Sequence, residues 1–199
     1  MVEKKSVGDG SIASFNRDFM KDIIIKNDYK YVLELGTHKG ISGESILQAL
    51  EKTNGGYFDT VDIVDVNSIE TNKYKKYGPY ELPKKIFSKY KTPFYFHSNG
   101  SDIFFENNNK KYDFIFIDGS HKKNDVKRDI LNSFKFIMDK GIILLHDYFH
   151  NGEPKWEGRK AILGIWQAVV ELENEGYKFK KDPIDTINGN KTSFCILEV

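Results

Sequence analysis

An α/β fold, with helices on both faces of a mostly parallel seven-stranded sheet, is what this sequence predicts. Three observations carry that expectation. Short apolar runs alternate with helix-patterned segments five times between Tyr31 and Glu175, the order expected of a three-layer α/β sandwich. The chain then closes on two strand-like runs either side of Asn188-Gly189, a hairpin-type turn. Third, the unusual polar residues Glu34, Asp62, Asp65, Ser101, Asp102, Asp118, His121, His146 and Asp147 all fall at predicted C-terminal strand ends. In an open α/β sheet that is the edge where ligands bind.

Residues 1–13 are polar and read as a leader, with a flap over the site as the functional alternative. Ser14 or Asn16 can cap a helix running to about Lys26, with Phe15, Phe19, Ile23 and Ile24 at partial helical spacing. The first strand, Tyr31–Leu35, is apolar except for Glu34, and it feeds the loop Gly36-Thr37-His38-Lys39-Gly40. A glycine there allows a positive φ or a close approach. An acid on an apolar strand is costly unless it meets something polar. A helix follows over Ile41–Leu50, with Ser42 or Ser45 in its first turn, and Asn54-Gly55-Gly56 stops it. Strand two is expected over Tyr57–Asp65, ending on Asp62 and Asp65, either of which can hold a ribose diol or simply cap a turn.

Residues 66–92 read as an irregular connection with a short helix near 81–89. Strand three, Phe94–His97, ends in Ser98-Asn99-Gly100-Ser101-Asp102, and a short turn or helix over Ile103–Phe105 follows. Strand four, Tyr112-Asp113 and then the apolar run Phe114-Ile115-Phe116-Ile117, ends in Ile117-Asp118-Gly119-Ser120-His121, as expected of a central strand covered on both faces. Val126, Ile130, Leu131, Phe134 and Ile137 form a helical stripe over 123–139, with Lys140-Gly141 as its stop. Strand five is Ile142–Leu145, ending in His146-Asp147. Residues 148–160 form a rim loop, free to act as lid or substrate wall, in which Tyr148 and Trp156 either line an aromatic or sugar pocket or pack on the surface. A helix over Ala161–Glu175 precedes the hairpin, where Cys195 reads as core.

Composition narrows the function. With 30 basic and 29 acidic residues, the chain has no charge bias toward nucleic acid or anionic membrane. Three arginines, Arg17, Arg128 and Arg159, are few for reading phosphates or bases. The single cysteine allows no intrachain disulfide. The N-terminus lacks a signal-peptide core, so a cytoplasmic location is the expectation.

The ordered set of motifs resembles the class I S-adenosylmethionine-dependent methyltransferases, which have a Rossmann-like sheet. Within them it is most similar to the small O-methyltransferase-like group, methyltransferase family 24-like. That division gives a leader and helix over 1–30 and a methyltransferase domain over 31–199. Glu34-Leu35-Gly36-Thr37-His38-Lys39-Gly40 stands where the family has its E-x-G-x-x-x-G cofactor turn. The Ile117–His121 and Leu145–Asp147 runs match its two later motifs.

By that resemblance, S-adenosyl-L-methionine is held by Glu34, Gly36, Thr37, Gly40, Ser42, Asp62 or Asp65, Ser101, Asp102 and Asp118. Gly36 and its neighbours lie against the methionine part, Glu34 acts through water or the ammonium, and Ser101 and Asp102 lie near the adenine. The methyl group passes to a small-molecule acceptor, most simply a hydroxyl. Two routes remove the acceptor's proton. Asp118, His121, His146 and Asp147 are the residues available for this: His121 or His146 acts as general base, or Asp118 and Asp147 hold a divalent cation, Mg²⁺, that polarises the hydroxyl. His146 stands where some relatives have another acid. Alternatives are N-methylation, or cofactor binding without transfer. No membrane or nucleic-acid partner is expected, and families of this kind often form homodimers.

Overall fold

The computed structural model describes residues 12–53, 55–70, 73–74, 81–153 and 162–199. The expected leader over 1–13 thus falls mostly outside the described residues, as does Trp156. One mixed sheet orders its strands β3-β2-β1-β4-β5-β7-β6. They are β1 Tyr31–Leu35, β2 Tyr57–Asp62, β3 Phe94–Ser98, β4 Tyr112–Ile117, β5 Ile137–Leu145, β6 Lys180–Ile187 and β7 Asn190–Glu198. The first five are parallel to one another, and β7 is antiparallel to both β5 and β6. Asn188 and Gly189 both take positive φ (49° and 78°), the backbone that a two-residue hairpin turn requires.

Side-chain alternation divides the core in two. On one face Val32, Phe58, Phe114, Phe116 and Leu144 pack against α1 (Ser14–Lys26), α2 (Ile41–Thr53) and α3 (Pro83–Phe87). On the other, Leu33, Leu35, Ile115, Ile117 and Ile143 pack against α4 (Ser101–Asn107), α5 (Lys123–Phe136) and α6 (Gly164–Asn174). The apolar run Phe114–Ile117 of β4 follows from burial on both faces. Each such buried aliphatic or aromatic side chain contributes roughly 1.5–3 kcal/mol. Cys195 is in this core. So is Tyr148, which is buried in the α5–α6 layer; the expectation that it lines a pocket is corrected.

Several element ends differ from the sequence reading, two of them notably. α5 ends at Phe136 and passes straight into β5, where Ile137 pairs with Tyr112. Lys140-Gly141 is therefore not a helix stop. It lies where the β4–β5 register shifts between Tyr112 and Phe114, and a Cβ on Gly141 would come within 2.8 Å of the Asp113 carbonyl oxygen. Second, β2 ends at Asp62 rather than Asp65. Among the described residues no helix is long and apolar enough to cross a membrane.

The sheet also holds buried charge. Asp59 is enclosed, but it meets His97 Nε2 at 2.7 Å, Lys110 Nζ at 2.8 Å and the Tyr112 hydroxyl at 3.1 Å. Burial raises its pKa, but His97 and Lys110 outweigh that and hold it below the ordinary value.

Candidate active site

The parallel strands bring their C-terminal ends to one edge, and the first of them carries the glycine loop. Gly36 takes φ +112° and Gly40 φ +75°. A Cβ on Gly36 would lie 2.3 Å from the Asp118 carbonyl oxygen, so this glycine lets the loop abut the tip of β4. A Cβ on Gly40 would meet Pro83 and Phe87 of α3.

Glu34 is 0% exposed and lies beneath the loop. Its oxygens meet the Ser42 hydroxyl at 2.5 Å and the Thr60 hydroxyl at 2.7 Å. Thr37 Oγ1 is 2.6 Å from Thr60 Oγ1. Four side chains from β1, the loop, α2 and β2 thus form one buried network, and the side chains of Ser42 and Thr37 are committed to it. Burial raises the Glu34 pKa to about 8, against the lowering effect of the two hydroxyls.

That shift has a sign. The ordinary value is 4.5, so the stability contributed by neutral Glu34 is complete below that pH and drains as pH rises through about 8. Glu34→Gln keeps the shape and cannot ionise. Its melting temperature is expected to hold between pH 6 and 9 while that of the unmodified protein falls, as thermal unfolding followed by circular dichroism would read. Parallel curves would refute a neutral Glu34.

At the end of β2, Asp62 is 7% exposed. Its carboxylate accepts the backbone N–H groups of His38 (3.0 Å) and Val64 (3.1 Å), and the Tyr74 hydroxyl lies 3.1 Å from both oxygens. Asp65 is instead on an exposed turn, where it accepts the Asn67 N–H at 2.9 Å. At the end of β3, Ser101 donates to Asp129 of α5 at 2.5 Å, while Asp102 accepts the Ile103 N–H at 2.9 Å.

The tips of β4 and β5 hold two imidazole–carboxylate pairs. His146 Nδ1 is 3.0 Å from Asp118 Oδ1, with its ring tilted against Phe194 at 5.3 Å. His121 Nε2 is 3.1 Å from Asp147 Oδ2, an ion-pair separation without an aligned hydrogen bond. The Asp147 carboxylate raises the His121 pKa, overcoming the lowering by burial. Asp147 takes a strained φ of +55°, and Ser193 of β7 lies 3.4 Å from its Oδ1. α6 starts on a glycine because a Cβ on Gly164 would strike the His121 carbonyl at 2.0 Å. Donor atoms of Asp118, His121 and Asp147 lie within 4.8 Å of one another, the one such grouping among the described residues.

Three residues were not singled out from sequence. Asn99 follows β3, and its Oδ1 is a buried acceptor with no hydrogen-bond partner among the described residues. Ile63, next to Asp62, is 70% exposed at the strand-end edge. Tyr74 lies in a stretch without periodic pattern. Nothing short of tertiary structure brings these three to notice.

A family model described as a methyltransferase domain matches residues 33–148. Solved structures agree in fold. An O-methyltransferase from Bacillus cereus, in complex with SAH, superimposes with TM-score 0.66 at 12% identity, over 96% of this chain and 83% of that one. The O-methyltransferase TomG from Streptomyces achromogenes, in complex with SAM, gives TM-score 0.67 at 13% identity, over 95% and 81%. The SAH-bound Podospora anserina methyltransferase PaMTH1 gives TM-score 0.67 at 14% identity, over 96% and 80%. No curated protein matches at significant sequence similarity.

Proposed function

The chain belongs to the methyltransferase-domain family of class I S-adenosylmethionine-dependent methyltransferases, and on that premise we propose that it transfers the methyl group of S-adenosylmethionine to a hydroxyl of a small-molecule acceptor. The observation that carries this reading is the contact between Gly36 and Asp118. It sets the glycine loop directly against the strand tips that hold two imidazole–carboxylate pairs.

Several features support the cofactor's fit. Asp62 already receives a hydroxyl across both oxygens, which is the demand a ribose diol makes. The orphaned Asn99 acceptor suits an exocyclic amino group, and exposed Ile63 offers an apolar face to a purine. When bound, the cofactor supplies a sulfonium-activated methyl group. The residues of this chain then have two tasks, holding the acceptor oxygen in line with that methyl group and removing its proton. His121 is the better placed base. Its side chain is 38% exposed against 15% for His146. With Nε2 turned toward Asp147, Nδ1 is the nitrogen that takes the acceptor's proton. His146 and Asp118 hold the floor beside it. Ser42, Thr37 and Glu34 act beneath the loop, shaping it rather than lining the cleft.

A bound Mg²⁺ fits this donor set poorly. Each carboxylate is matched to an imidazole, whereas Mg²⁺ prefers oxygen ligands and bound water. The proposed transfer therefore runs through the imidazole base, and chelation by EDTA is expected to leave the rate unchanged.

Calorimetry with S-adenosylhomocysteine tests the cofactor half of the reading. Saturable binding is expected, weakened ~10–100-fold by Asp62→Asn, which leaves one oxygen to accept and places a donor against the ribose. A methyl-transfer screen over small hydroxylated compounds tests the acceptor half. Transfer confined to amines would overturn it in favour of N-methylation.

A further inference from the structure

We propose that Tyr74 is a resident occupant of the ribose site, which the cofactor must displace before it binds. The inference rests on the reading of Asp62 as the ribose ligand and adds what competes for it.

Three observations carry it. First, the Asp62 carboxylate is fixed from behind by two backbone N–H groups, His38 on Oδ2 and Val64 on Oδ1. Neither bond needs to change when a ligand arrives, so the acceptor is preorganised. Second, the remaining face is taken by the Tyr74 hydroxyl, equidistant from both oxygens at 3.1 Å. A bridging ribose diol would need that same face. The phenol has a single proton, however, and can satisfy one oxygen at a time, whereas a diol brings two. The incoming ligand therefore makes the better match. Third, the Tyr74 ring has its own seat. It stands edge-on to His38 with centroids 4.2 Å apart, and Lys73 Nζ lies 5.1 Å from its centroid.

Asp62 is nearly buried, so leaving its carboxylate without a hydroxyl donor would be costly. Tyr74 removes that cost. It also lowers the apparent cofactor affinity, since only the fraction of molecules with Tyr74 withdrawn can accept the ribose. The ring's seat on His38, itself a residue of the glycine loop, couples the same event to the loop that meets the methionine end.

The test is calorimetric titration of S-adenosylhomocysteine into the full-length protein and into Tyr74→Phe and Asp62→Asn. Tyr74→Phe keeps the ring on His38 and removes the competing hydroxyl. It is expected to bind ~3–30-fold more tightly than the unmodified protein, the range for loss of one hydrogen bond to a charged group partly replaced by water. Asp62→Asn is expected to bind more weakly. Unchanged or weakened binding by Tyr74→Phe, with Asp62→Asn still impaired, overturns the occupant role and leaves the cofactor reading standing. Absence of binding by all three proteins overturns both. Matched far-UV circular dichroism excludes misfolding as the cause of either difference.

Discussion

Gly36→Ala is expected to destabilise the protein by about 3–5 kcal/mol, the sum of a positive-φ penalty and an overpacked contact. The backbone there has φ +112°, a region that L side chains rarely adopt. The added Cβ would also lie 2.3 Å from the Asp118 carbonyl oxygen and 2.7 Å from its carbon. Both partners are main chain at the tips of central strands, so neither can move aside without breaking the Asp118 N–H bond to the Leu35 carbonyl. Gly176→Ala is the control. It has φ +86° with nothing within 4 Å of the added Cβ, so it carries strain without a clash and is expected to cost about 1–2 kcal/mol. Urea unfolding of the two variants separates the terms. Equal losses would mean that the β1–β4 tip contact is looser than its geometry implies.

The layers, the alternation of strands and helices and the terminal hairpin were legible because the signals behind them are local. β4 is apolar from Phe114 to Ile117 because helices cover both its faces, and Asn188-Gly189 turns the hairpin through its own backbone preference. Where a boundary was misjudged, a partner distant in sequence had decided it. Ile137 fits the α5 stripe, yet it pairs with Tyr112, and only that pairing reveals a strand. The candidate site divides the same way. The strand-end acids and histidines stood out as polar residues in costly places. Their partners did not: that Ser42 and Thr60 satisfy Glu34, or that Tyr74 sits on Asp62, depends on loops meeting across the edge. Tyr148 shows the converse error. An aromatic residue beside a catalytic-looking motif suggests a pocket wall, but Tyr148 N–H donates to the Ser193 carbonyl at 2.8 Å, and its side chain is part of the core.

Methyl-transfer rate is expected to rise with pH to a plateau, with its midpoint above the ordinary imidazole value of 6.5. The direction follows from the roles. A general base must be unprotonated, and the Asp147 carboxylate beside Nε2 makes His121 hold its proton more firmly than a free imidazole. Asp147→Asn removes that charge and leaves burial opposed only by the weaker pull of Asp118, so the midpoint should move down, below that of the unmodified enzyme. The plateau rate should fall as well, because the side chain that orients the ring no longer attracts it. His121→Gln should abolish the pH-dependent limb and cost about 10²–10⁴-fold in kcat, the usual contribution of a positioned base. His146→Gln discriminates between the two imidazoles. His146 is packed against Phe194 and turned toward Asp118, so its loss should lower the rate while the limb and its midpoint persist. If the limb instead vanishes with His146→Gln and survives His121→Gln, the base is His146. Asp118 then becomes the carboxylate that orients it, and the His121–Asp147 pair is left to brace the neighbouring start of α6.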